Sequence, residues 1–348
     1  MSAPLQPPIF EHLIDPQLRE SLREKPNLLD GNPTLYEVQA RLNSSFQNSD
    51  RNVEYASKVT IDELHIPAKK INQQLSIRCY TPKALEHKDP LPVLLWIHGG
   101  GFIAGDAQSD DPICERFSIE CGCIVVSVDY RLAPQHPFPA GFDDCYAALQ
   151  WLEGSGKEKL NADVNNLIVG GASAGGCLAA GVVLKATEAG GPKIKHQLLI
   201  VPALDDRHQT VSSKGITDYR YGWNRELSQL AWEGYLKNLS GDTPVYAAPA
   251  RATKIPNLPS TFISVEDQDL LRDEAIIYAQ RLMQANVVTE LHVYPGTFHG
   301  SFLETPDAEI SKQHMSDVLN SLRRSFIKYG EKAETSQLPL EQQGVPNN

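Results

Sequence analysis

Cysteine is scarce: the 348-residue chain has six, Cys79, Cys114, Cys121, Cys123, Cys145 and Cys177. So few in a chain this long exclude the dense disulfide framework of a small secreted domain. Cys121-Gly-Cys123 lacks the C-x-x-C spacing of zinc or redox pairs and runs into an apolar segment. All six are therefore expected to be buried, small apolar side chains. Positive charge is also in deficit. Lys and Arg number 32 against 43 Asp and Glu, a net charge of −11, which argues against nucleic acid or an anionic membrane as partner. No apolar run reaches the length that spans a bilayer. The opening "MSAPLQPPIFEHLIDPQ" has neither the basic start nor the apolar core of an export signal, so a cytoplasmic location is expected. Asn43-Ser-Ser and Asn238-Leu-Ser match the glycosylation pattern, which matters only to a secreted chain.

What is present is an ordinary globular composition, 41% hydrophobic and 22% charged. The length suits one large α/β domain or two smaller ones. Residues 1–50 are polar and proline-spotted, with short helical patterns in "QLRESLREK" and "LYEVQARLNSSF". Strand-like stretches follow at 58–66 and 74–82, and then short apolar runs at 91–97, 123–129, 166–171, 196–204, 259–265 and 289–295. Helical patterns at 142–154 and 271–285 lie among them. This alternation predicts an α/β fold with a mostly parallel sheet covered by helices on both faces. It breaks at about 205–250, which reads as loop and helix. That insertion and the first fifty residues are expected to form a small helical cap over a catalytic domain spanning 51–330, with a disordered polar tail at 331–348.

Gly171-Ala172-Ser173-Ala174-Gly175 follows the strand-like "NLIV" and opens a helix-like run. G-x-S-x-G between strand and helix is the setting of a nucleophile elbow. Small residues let the chain turn sharply and leave the Ser173 hydroxyl accessible at a helix N-terminus. Such a pattern also arises by chance in glycine-rich loops, so other parts must appear in order. Upstream, "WIHGGGFIAG" sets three glycines directly after an apolar strand. The N–H groups of Gly100 and Gly101, with that of Ala174, would form an oxyanion hole. Of ten histidines, His299 is the candidate base, because it lies on a glycine-flanked loop just after the last apolar strand. In an open parallel sheet that places it on the same edge as Ser173. The acid comes from "SVEDQDLLRDE", which offers Glu266, Asp267, Asp269, Asp273 and Glu274. Asp273 and Glu274 suit the first turn of the next helix, and Glu266 and Asp267 are still attached to the strand end. Asp269 is preferred, with Asp267 as the alternative.

These segments resemble the hormone-sensitive-lipase-like family of α/β hydrolases, the type of microbial carboxylesterases and arylacetamide deacetylases. The matching residues are His98-Gly-Gly-Gly-Phe102, "DYRLAPQHPFPAGFDD", Gly171-Ala-Ser-Ala-Gly-Gly176, "DQDLLRDE" and "FHG", within about 98–300. The resemblance implies the α/β-hydrolase fold and carries roles to Ser173 as nucleophile, Asp269 as acid and His299 as base. It likewise makes Gly100, Gly101 and Ala174 the oxyanion donors. Ala172 stands where the family usually has an acidic residue, and Leu270 where it usually has proline. Tyr130, Arg131, Asp143 and Asp144 read as supports for the site, and His98 as a brace of its loop.

A carboxylic ester hydrolase acting on small to medium acyl or acetyl esters is the expected function, with no metal or organic cofactor. Phe102, Tyr219 and Trp223 are candidate substrate contacts, and Tyr221 and Trp232 of the insertion are further aromatics that could line an apolar pocket or belong to the core. The same residues would serve an amidase, deacetylase or lactonase. A non-catalytic receptor of this fold, lacking the histidine, is disfavoured by the intact "FHG". The partner expected is a small-molecule ester; the oligomeric state stays open.

Overall fold

The computed structural model describes residues 11–46, 53–68, 73–86 and 89–326. The expected tail at 331–348 lies outside the described residues. Eight strands form one sheet in the order β1-β2-β4-β3-β5-β6-β7-β8. They are β1 (Val59–Ala68), β2 (Gln73–Pro82), β3 (Leu91–Ile97), β4 (Ile124–Val128), β5 (Ala162–Ala172), β6 (His196–Ile200), β7 (Ser260–Glu266) and β8 (Thr289–Tyr294). β2 runs antiparallel to both β1 and β4, and every pairing from β4 to β8 is parallel.

The continuous apolar runs become strands buried on both faces. Along β3, Val93, Leu95 and Ile97 join one core layer while Leu94 and Trp96 join the other. That is the two-residue alternation of a strand covered on both sides. The helices Ala140–Trp151, Ala174–Glu188 and Arg272–Gln284 contribute to the first layer, and Asp111–Cys121 and Glu309–Phe326 to the second. Helix Ala174–Glu188 is buried over most of its length, which explains its run of Ala, Gly, Val and Leu in place of an amphipathic pattern. Five of the six cysteines are buried as expected. Cys121, at the end of its helix, is only half-buried, and all six are unpaired.

No strand interrupts the stretch between β6 and β7; it holds helices Val211–Gly215 and Arg225–Leu236. The N-terminal segment has helix Leu35–Phe46, which coincides with "LYEVQARLNSSF".

Because β3 and β5 to β8 are parallel, the residues after their carboxyl ends share one edge. There β5 turns into its helix against β3. A Cβ on Gly175 would lie 2.0 Å from the Ile97 carbonyl oxygen and 2.4 Å from that of His98, and one on Gly171 would lie 2.4 Å from Gly175. Gly175→Ala should therefore lower the thermal unfolding midpoint, through a penalty of roughly 1–3 kcal/mol or more. Gly215→Ala, where nothing lies within 4 Å, should leave it within about 0.5 kcal/mol of wild type.

Candidate active site

Ser173 follows the last residue of β5 with φ 54° and ψ −118°. A non-glycine residue held there costs about 1–3 kcal/mol and persists only where neighbours over-determine it. Here the chain is held on both sides. Ser173 N–H donates to the Ile200 carbonyl at 2.8 Å, and the Ser173 carbonyl accepts from Ala203 N–H at 3.1 Å. The serine is the N-cap of helix Ala174–Glu188, whose first N–H groups have no intrahelical acceptor.

The Ser173 hydroxyl lies 3.0 Å from His299 Nε2, and His299 Nδ1 lies 2.6 Å from Asp269 Oδ2. The other Asp269 oxygen accepts from Leu271 N–H at 3.0 Å. Asp269 is buried, Ser173 is 9% exposed and the His299 side chain 12%. The hydroxyl, imidazole and carboxylate thus form one hydrogen-bonded line that is nearly closed to water. Burial disfavours the charged imidazole, but the Asp269 carboxylate and its hydrogen bond outweigh this, so the His299 pKa is raised above its ordinary value. Asp267, the alternative acid, is turned to structure: its Oδ1 accepts from Thr297 N–H at 3.3 Å.

Two strands, β6 and β7, separate β5 from β8, so His299 must reach back across the edge. The loop after β8 is pinned to the loop that carries Asp269. Asp267 N–H donates to the Tyr294 carbonyl at 3.1 Å and Gln268 N–H to that of Thr297 at 2.9 Å, while Phe298 is fully buried beside His299.

The glycine loop abuts Ser173. A Cβ on Gly99 would lie 3.6 Å from that of Ser173. Gly100 has φ 105° and Gly101 φ 62°, values that favour glycine. The loop closes on itself through Ile103 and Ala104 N–H groups donating to the Gly100 carbonyl, at 3.1 and 2.9 Å. His98 stacks on Tyr130 at 4.2 Å, and the Tyr130 hydroxyl donates to the His98 carbonyl at 3.0 Å. Burial pushes His98 down to about 4, so it braces the loop as a neutral ring. Arg131 is held by both oxygens of Asp144, at 2.8 and 2.9 Å.

Two supports escaped the sequence. Gln39 Nε2 donates to the carbonyls of Ile103 at 2.6 Å and Ala133 at 3.2 Å, and Asn43 Oδ1 accepts from Gly105 N–H at 2.9 Å. Both lie on helix Leu35–Phe46, and nothing in its polar pattern marks which side chains meet the loop.

Of the candidate substrate contacts, Trp223 lies beside His299. Its ring edge would be 2.3 Å from a Cβ on Gly101, and its centroid is 6.2 Å from that of His299. Phe102 is buried in an aromatic group, stacked on Tyr235 at 4.1 Å and tilted on Trp232 at 4.8 Å. Tyr219 is half-buried, with the Arg220 guanidinium 5.8 Å from its ring centre. Donor atoms of Glu266, Asp269 and His299 lie within 4.8 Å of one another, the spacing of a metal ligand set. They are already engaged, His299 by Ser173 and Asp269, and Glu266 by Gly300 and Ser301.

A serine raised at a strand–helix turn, joined to an imidazole beyond the last strand of a mainly parallel sheet, defines the class: an α/β hydrolase. Sequence comparison narrows it. The profile of an alpha/beta hydrolase fold family matches residues 94–303. Esterase LipI of Mycobacterium tuberculosis is 34% identical over 232 residues, which cover 65% of this chain and 70% of the relative. Carboxylesterase NlhH of the same organism is 35% identical over 235 residues, again 65% and 70% of the two chains. The structure of a bacterial heroin esterase superposes with a TM-score of 0.84 at 40% identity, covering 91% of this chain and 99% of that one. The chain belongs to the hormone-sensitive-lipase-like family of α/β hydrolases and is a serine carboxylesterase. No helix among the described residues is long and apolar enough to cross a membrane.

With His299 as the expected base, which must be unprotonated to act, its raised pKa displaces the acidic limb of activity upward. The midpoint of kcat/KM against pH should lie above 6.5, the ordinary histidine value. Asp269→Asn should move that midpoint down and lower kcat by about 10⁴-fold, both read from initial rates between pH 4 and 9.

Proposed function

We propose that Ser173, His299 and Asp269 are the catalytic triad of this esterase. The observation that carries the reading is the pair of hydrogen bonds joining Ser173 to His299 and His299 to Asp269. Ser173 Oγ attacks the ester carbonyl carbon while His299 Nε2 takes its proton. Asp269 keeps the Nδ1 tautomer and stabilises the imidazolium. The N–H groups of Gly100, Gly101 and Ala174 stabilise the tetrahedral oxyanion. As that intermediate collapses the alkoxy group leaves, protonated by His299, and the acyl group stays on Ser173. Water, deprotonated by His299, then attacks the acyl-enzyme and returns the carboxylic acid and the free serine.

The substrate we propose has a small or medium acyl group, or an acetyl group on a bulky alcohol. Near-complete enclosure of Ser173 and His299 supports this, as does Trp223 against Gly101. Residues 1–50 and the insertion at about 205–250 are proposed as the cap. Trp223 comes from the insertion, and Gln39 and Asn43 of the N-terminal part bond to the glycine loop. Phe102 and Tyr219 are proposed as further contributors to substrate binding, Phe102 through the aromatic group behind the glycine loop. The proposed compartment is the cytoplasm, whose reducing conditions fit six unpaired cysteines.

Ser173→Ala should lose covalent labelling by a fluorophosphonate and lower esterase kcat by roughly 10⁴-fold or more. Retention of both labelling and activity would reject Ser173. Trp223→Ala should shift acyl preference toward longer chains, by roughly fourfold in kcat/KM per added methylene if each buries fully. A series of p-nitrophenyl esters from acetate to octanoate reads this directly.

A further inference from the structure

The strand that leads to the acid ends on a second carboxylate. Glu266 is the last residue of β7, and it is 0% exposed. Among the described residues no lysine or arginine pairs with it. A buried carboxylate without a cation survives only where donors replace its water. Its donors all come from one stretch of chain. Oε2 accepts from Gly300 N–H at 2.6 Å, and Oε1 accepts from the Ser301 hydroxyl at 2.7 Å and Phe302 N–H at 3.4 Å. Those three residues directly follow His299. Gly300 has φ 79°, so the chain leaves the base through a left-handed turn that has little intrinsic preference for one direction. Glu266 supplies the direction.

We propose that Glu266 is a positioning residue of the esterase: its carboxyl group gathers the three donors after His299 and so holds the ring between Ser173 and Asp269. This rests on the reading of His299 as the base. A glutamine would fit the same space, but its amide nitrogen would face one of the donors now bonded to an oxygen. Burial pushes Glu266 up to about 8; the Asp269 charge adds to this, while His299, the Ser301 hydroxyl and Gly300 N–H oppose it. The carboxyl groups acting on His299 are Asp269, Glu266 and Glu304, and Glu304 is itself paired with Lys25.

The test compares Glu266→Gln with wild type by kcat and KM, with His299→Ala as reference. Glu266→Gln should lower kcat by about 10- to 100-fold with KM within about threefold. Wild-type kcat, or a fall in kcat matched by an equal rise in KM, would overturn the proposal, the second because it would reflect a general loosening of the site and leave Glu266 a packing residue only. If thermal melts show that Glu266→Gln does not fold, Ser301→Ala and Ser301→Thr decide. Ser301→Ala removes one donor and should lower kcat by roughly threefold or more, consistent with one lost hydrogen bond, and Ser301→Thr should restore it. An unchanged kcat in Ser301→Ala, or a loss that threonine fails to rescue, would overturn it. Full activity in His299→Ala would instead reject the triad, which separates the two failures.

Discussion

The strained turn at Ser173 sets the terms for the rest of the molecule. A serine at φ 54° does not hold its own conformation, and it is kept there by two backbone hydrogen bonds, one to the end of β6 and one to the segment after it, and by glycines that let it press against β3. β3, β5 and β6 are therefore committed to one fixed geometry at their carboxyl ends. The strain is offset by the core beneath, where the two layers bury both faces of these strands. What results is a stiff hydroxyl at the mouth of a helix, and everything else that takes part must come to it.

The glycine loop arrives by adjacency, since β3 is the neighbour of β5. His299 has a longer path. It leaves β8 and crosses back over β7 and β6, and a loop making that crossing unaided would sample many positions. Three sets of bonds limit it: those of Asp267 and Gln268 to Tyr294 and Thr297, that of Asp269 to the imidazole, and those of Glu266 to the residues that follow. The acid's own loop is tied down in turn. The Ser212 hydroxyl donates to the Leu270 carbonyl at 2.8 Å, and Glu274 accepts from Leu204 N–H at 2.7 Å. Leu270 takes the place of a proline usual in related enzymes, and these contacts from the neighbouring segment give that loop the definition a proline would otherwise give.

Much of this was legible because each piece has a local cause. Apolar runs of strand length could only be buried strands, and small residues around a serine between strand and helix could only be accommodated in a tight turn. The helix at Leu35–Phe46 and the strand at Leu91–Ile97 follow from pattern alone. Cys121 departs from the burial expected of it because it ends a helix, where one side stays open. Gln39 and Asn43 were not legible, because amides on a polar helix look alike until a partner loop selects two of them. Glu266 was visible as a carboxylate at a strand end, and its task was not, since its donors lie more than thirty residues away.

By itself the sequence determined the turn at Ser173, the glycine loop, the strand content and the histidine beyond the last strand, because sterics and period act over a few neighbouring residues. The sheet order was settled by tertiary structure, with β4 inserted between β2 and β3. So were the partners of Asp269 and Asp267, two carboxylates on one short loop, of which the first reaches the imidazole and the second accepts from Thr297. Packing decides such matters: a side chain's direction depends on the strands and loops that meet it, and those come from distant parts of the chain.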